Sequence, residues 1–345
     1  MSVIKPSLLA LFALAMPVFA VASAAHAAPP ATGPYKVVAS IPGTDGGWDL
    51  LGVDGASQRL YVARGAGVMA VDLATSKVTD AIVPSARGHD SMPIPGTGLV
   101  LSNSGGTNVA TLFEGATGKV IATLPTGNKP DAIAWDPATR RAFVMNAGSG
   151  DITVIDPATA RVVGTIAVGG SLELGAADGK GRMYVNVEDK NEVAVIDSRA
   201  MKVASRFALK GCDGPTGVAY AGDADLIVSA CANGVAIVSA PDGHLVASVP
   251  VGPRPDGAVW DARRKLALIP SGGDGALYVI RLTPKAGVIQ RLETARGART
   301  IALDPTTGRV YLPSAKYAPA VGAARPAMIP GSFAVLVVAP TDTMN

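Results

Sequence analysis

A motif returns seven times along this chain at nearly constant spacing. In register, Asp72 is followed by Glu114, Asp156, Asp197, Ser239, Arg281 and Val337, at intervals of 42, 42, 41, 42, 42 and 56 residues. A second marker, five residues into the first strand of each unit, runs Asp54, Pro95, Asp136, Asp178, Ala221, Asp261, Asp304 and keeps the same beat at 40 to 43 residues. Units of this length, built from short apolar runs separated by turn residues, cannot bury their own faces and must stack on their neighbours. The spacing predicts an all-β chain, a seven-bladed β-propeller with four-stranded blades.

The third unit shows the four strands best, as DAIAW, RAFVMN, DITVID and RVVGTIAV, each enriched in β-branched residues and bounded by turn clusters. Asp136-Pro137, Asp156-Pro157 and Asp304-Pro305 place Asp first and Pro second in type I turns, so these acids read as structural. Fourth strands are complete for six units only: KVTDAI, KVIATL, RVVGTIAV, KVASRFAL, HLVASVPV and VIQRLET. The seventh stands at the other end of the chain as YKVVASI, residues 35 to 41, and is expected to complete the last blade beside residues 332 to 338. That closure would leave no open seam in the ring. The long last interval comes from Lys316 to Gly331, an insertion between the second and third strands of the final blade. Insertions in repeat arrays map to loops, often on the binding face.

Residues 1 to 27 read as a secretory leader, with Lys5, an apolar run from Leu8 to Ala22, and Ala25-His26-Ala27 as cleavage site. The remainder, 28 to 345, reads as a single propeller domain, since a ring grows by adding blades without enlarging any one core. No other apolar stretch reaches the length of a membrane helix. The product is therefore expected to be periplasmic or secreted, without a membrane span, and monomeric. Loss of the leader removes Lys5 and no acid, so net charge falls from +3 to +2, and no Lys/Arg run is present. This balance argues against a nucleic-acid partner bound by phosphate neutralisation.

The segments VYLPS, AFVMN and MYVNVEDKNEVAVID, with the D-P-x-T-x-R turns, resemble the YVTN-repeat β-propellers, and the whole pattern resembles the YncE-like exported proteins of that group. The resemblance covers nearly all of the chain after the leader. It implies an exported binding or accessory propeller. Related propellers include lactonases, a lyase and subunits of electron-transfer dehydrogenases, and the resemblance also brings in single-stranded nucleic-acid binding.

In a four-stranded blade, the connection into the first strand and the connection between the second and third strands emerge on one face. The residues at the first-strand mouths are Asp49, Asp90, Asp131, Glu173, Thr216, Asp256 and Arg299. Five of the seven are acidic, whereas 27 acids among 345 residues would place on average less than one at seven random positions. Two readings stand. Either the repeat copied an Asp that hydrogen-bonds the entering loop, or the mouths converge on the axis as an acidic ring with His89 and Arg299 beside it. Gathered carboxylates repel, so they must stay wet, share protons or attract a cation. A ring of this kind suits a cationic organic ligand or a hard ion, Ca²⁺ or Mg²⁺, with Asp49, Asp131 and Asp256 as candidate ligands.

His89 is the candidate general base, against the commoner role of a hydrogen-bonded structural His. His244 sits at a hairpin turn, and no multi-His metal spacing exists. Polar residues also end the second strands: Arg64, Asn103, Asn146, Asn186, Ser229, Ser271 and Ser314. The Asn residues read as turn-closing, and Arg64 would add a cation to the ligand-binding face. Cys212, in the loop entering the fifth blade, and Cys231, at the end of that blade's second strand, are brought to one face by the topology and are expected to form a disulfide in an oxidising compartment. No G-x-S-x-G elbow, H-E-x-x-H helix, Walker loop or dinucleotide fingerprint occurs. The sequence thus favours a periplasmic scaffold recognising a small ligand or protein partner at an acidic axial face over catalysis. The rival is a metal-assisted, lactonase-like hydrolase or lyase using ring carboxylates and His89.

Overall fold

A computed structural model of the chain describes Met1, residues 33–319 and residues 326–341. The expected leader lies outside the described residues apart from Met1. The rest forms seven four-stranded antiparallel sheets arranged as the blades of a propeller. The third blade is typical, with strands Pro130–Asp136, Arg141–Asn146, Asp151–Asp156 and Arg161–Ala167 paired in chain order. Helix among the described residues is one short 3₁₀ turn, Glu188–Lys190, and no helix there is long and apolar enough to cross a membrane.

Ring closure follows the sequence expectation. The strand Tyr35–Pro42 pairs antiparallel with Ala334–Pro340, from Tyr35 opposite Pro340 to Pro42 opposite Ala334. The seventh sheet is thereby made from both ends of the described chain. Tyr35 also locks this strand to blade six. Its N–H donates to Gln290 Oε1 at 3.0 Å, its C=O accepts from Gln290 Nε2 at 2.7 Å, and its hydroxyl donates to Asp261 Oδ2.

The marker acids make the turns. Asp54, Asp72, Asp136, Asp156, Asp197 and Asp261 each accept backbone N–H groups two and three residues on. The fourth residue after each acid, such as Arg140 at φ 56° or Lys265 at φ 56°, is left-handed, which returns the chain into the next strand. Side chains alternate across the strands, and the buried faces meet between blades. Seven apolar clusters result, one at each blade-to-blade joint: Phe143, Ile152 and Met183 between blades three and four, for example, or Tyr61, Val100 and Phe113 between one and two. Stability is spread around the ring instead of resting in one centre. Cys212 and Cys231 form the expected disulfide.

Candidate functional site

The first strands run along the axis, so their mouths converge on one face. Thirteen residues separate His89 from Asn103, yet the Asn103 carboxamide organises the site there. Its Oδ1 accepts the N–H groups of His89 (3.1 Å) and Asp90 (2.9 Å), while its Nδ2 donates to the Asp131 carbonyl at 2.8 Å. The entry to blade two is thereby tied to the entry to blade three. Asn186 does the same further round, donating to the carbonyls of Thr216 and Gly217 and accepting from Ser229 Oγ. Asn146 closes its own turn as expected, donating to Asp151 Oδ1 (2.6 Å) and Thr153 Oγ1 (3.0 Å) across the hairpin, but Asn103 and Asn186 do not. They couple one blade to the next.

On this frame the side chains form a continuous polar chain. Arg299 Nε donates to Asp256 Oδ2 at 2.6 Å and its Nη2 lies 3.6 Å from Asp49 Oδ1. His89 Nδ1 lies 2.8 Å from Asp49 Oδ2 and 3.3 Å from Asp131 Oδ1. Asp256, Arg299, Asp49, His89 and Asp131 thus link blades six, seven, one, two and three. The imidazole is fixed from its other edge by Gly105, where a Cβ would stand 2.9 Å from Nε2. Any side chain at that position would displace the ring.

The remaining candidates separate. Glu173 has no ion-pair partner among the described residues. Burial and then the nearby charges of Asp131, Asp256, Glu188 and Asp49 push its carboxyl up to about 10, so it carries a proton at neutral pH. Asp131 is pushed up to about 7 by burial and Asp49, against the pull of His89. Asp256 is raised to about 6, chiefly by burial, with Arg299 pulling it back. The hydrogen bond to Asp49 raises His89. Asp90 turns away from this chain: its Oδ1 accepts Ser91 N–H and its Oδ2 accepts Ile133 N–H at 2.7 Å, which fastens blade two to blade three. Burial still drives that carboxyl up to about 7. Thr216, the uncharged mouth, donates its hydroxyl to the Pro255 carbonyl.

Arg64 belongs to a different structure. Its guanidinium donates to the carbonyls of Gly47 (2.9 Å), Thr44 (2.7 Å) and Gly46 and sits 3.8 Å above the Phe333 ring. Asp45 in the same loop accepts the N–H groups of Gly331 and Phe333. Arg64 therefore fastens the segment between the closing strand and blade one to the returning end of the long insertion.

The candidate metal set also differs from the expected one. The donor atoms that gather are those of Asp49, His89 and Asp131, all within 4.8 Å of one another, while Asp256 is held by Arg299. Glu188, which acts on Asp131, Glu173 and Asp256, was missed by the sequence reading. Its signal was present, because blade four carries Glu188-Asp189 in the turn where other blades carry Gly-rich stretches such as SGGTN and SGGDG. Below the polar chain the axis turns apolar. Leu50, Met92, Ile133, Leu174, Val218 and Ile301, together with Asp90, line a cavity of about 180 Å³. The charged groups thus form a polar rim over a throat whose side chains are apolar apart from Asp90.

By its fold this is a seven-bladed β-propeller. No protein-family model matches the chain, and none of the curated proteins does. Among solved structures, a chain of the "Crystal Structure of Mitotic Checkpoint Complex" aligns with TM-score 0.68 and 15% identity over 88% of this chain and 94% of that one. A chain of Kuenenia stuttgartiensis hydrazine synthase aligns with TM-score 0.65 and 18% identity over 77% of this chain and 92% of that one. In all, 1573 solved chains match, so likeness at this level marks an architecture and not an activity.

Proposed function

We propose that the protein is an exported, YncE-like propeller of the YVTN-repeat kind, working in the periplasm as a binding scaffold that takes a cationic ligand at its axial face. The observation that supports this is the polar chain from Asp256 to Asp131. Arg299 and His89, whose charged form Asp49 favours, face three acids there, Asp256, Asp49 and Asp131, with Glu188 adding to the negative side. A rim with surplus carboxyl groups over an apolar throat suits a ligand carrying an amine head and an apolar body. The apolar cavity gives the body somewhere to go. The test is thermal stability of the purified protein with spermidine and with an alkylamine at constant ionic strength. A rise in Tm in the parent and none in Asp131→Asn is expected; flat curves with both probes would sink the reading.

A second reading has its own observation. An imidazole nitrogen and two carboxylate oxygens within 4.8 Å fit a borderline divalent ion such as Zn²⁺ or Mn²⁺ better than the all-oxygen Ca²⁺ or Mg²⁺ set. Such an ion would supply a bound water of lowered pKa for a hydrolase or lyase step. Zn²⁺, Mn²⁺, Ca²⁺, Mg²⁺ and EDTA in the same assay decide it. No shift with any of them rejects the metal enzyme.

A further inference from the structure

Beside the acidic rim, on the same face, lies a separate depression of about 620 Å³ whose wall carries Arg254, Arg296 and Arg299. Three loops build it. Arg254 comes from the loop entering blade six. Arg296 and Arg299 come from the loop entering blade seven, and Gly272 and Gly273 from the turn between the second and third strands of blade six. Tyr317, on the insertion of the last blade, closes the outer side. The volume falls in the range of small-molecule sites.

The charge balance of this depression is opposite to that of the rim. Arg299 is satisfied by Asp256 and Asp49. Arg254 and Arg296, by contrast, meet no carboxylate within salt-bridge distance among the described residues, and the single side-chain bond between them is Arg296 Nη1 to the Gly273 carbonyl at 3.2 Å. The floor is bare backbone. A Cβ at Gly272 would lie 2.9 Å from Arg299 Cβ, and one at Gly273 would lie 2.6 Å from the Pro253 carbonyl oxygen. Side chains are excluded there, which keeps the floor open between the guanidinium groups. Guanidinium forks with spare donors and no counter-charge recognise oxyanions, which they bind in bidentate fashion.

We propose that this depression is a binding site for a small oxyanion-bearing molecule, a phosphate ester or a polycarboxylate, held by Arg254 and Arg296. Arg299 serves as the link to the acidic rim, through Asp256. The two side chains that hold the anion, Arg254 and Arg296, take no part in the axial amine site and carry the opposite charge to its acids, so either site can fail without the other.

Inorganic pyrophosphate and citrate, titrated calorimetrically at ionic strength held constant with chloride, are the two probes, and they separate the phosphate source from the carboxylate source. At least one is expected to bind, and Arg254→Ala with Arg296→Ala is expected to weaken it by about tenfold to a hundredfold, the equivalent of losing a charge-assisted hydrogen bond. Both side chains are exposed, so the double variant should keep the parent's Tm, and Arg263→Ala with Lys265→Ala elsewhere on the ring serves as the charge control. Heat from neither probe, or binding that survives in the double variant, or an equal loss in the charge control, overturns the proposal.

Discussion

His89 Nδ1 stands 2.8 Å from Asp49 Oδ2 although the two residues belong to neighbouring blades and are separated by 40 positions. The contact arises because the repeat places both at first-strand mouths and the ring brings those mouths side by side. Asp49 favours the charged form of the imidazole, and Asp131, 3.3 Å from the same Nδ1, adds to that.

A charge-dependent contribution from His89 follows. Its pKa is raised in the folded protein, so the stability it adds is complete below the unfolded value of about 6.5 and is lost as pH climbs through the folded value. The gap in Tm between the parent and His89→Gln should therefore be wider at about pH 6 than at about pH 9. Equal gaps would show that the imidazole acts through shape alone.

The acids of the rim predict a second pH effect. Glu173, Asp131 and Asp256 have folded values of about 10, 7 and 6, above the ordinary carboxyl values of 4.5, 3.8 and 3.8. Between the lower and the upper value the folded state binds more protons than the unfolded one, so stability falls as pH rises. The parent should melt higher at about pH 5 than at about pH 8, and Glu173→Gln, which mimics the protonated acid, should flatten the slope. A parent curve that rises over that window contradicts the assignment.

Ring closure can be weakened at one side chain. Gln290 pairs with both backbone groups of Tyr35, and both residues are buried. Gln290→Leu removes both of these buried hydrogen bonds, at about 1–3 kcal/mol each. A loss of about 2–4 kcal/mol in urea unfolding is expected; a neutral result would mean that water reaches the seam.

The disulfide should matter moderately. Cys212 and Cys231 close a loop with a sequence separation of 19, for which constraint of the unfolded chain contributes about 3 kcal/mol. The double Cys→Ser variant is expected to lose about that much while keeping its far-ultraviolet spectrum, and a loss of the β signal would assign the bridge a role in folding.

Much of this molecule was legible in its sequence, and the limit is informative. The blade count, the closing strand, the Cys pair and the place of the insertion follow from a period that each unit repeats locally. The turn acids were equally readable, because an Asp accepting the second and third N–H groups after it needs no distant partner. The five mouth acids were also found, but their fates were not. Asp90 holds the wall between two blades, Asp49 and Asp131 meet at Nδ1 of His89, Asp256 pairs with Arg299, and Glu173 has no ion-pair partner among the described residues. Arg64, expected at the ligand face, serves the loop beneath Phe333 instead.

The sequence by itself determined a ring of seven units and the residues that stand at its mouth, since periodicity and turn chemistry act within a single unit. Only the tertiary structure decided which of those residues touch, which carry protons and where the unpaired arginines gather. Those outcomes depend on how neighbouring blades lie against each other, and that is set by packing at seven joints which no one repeat contains.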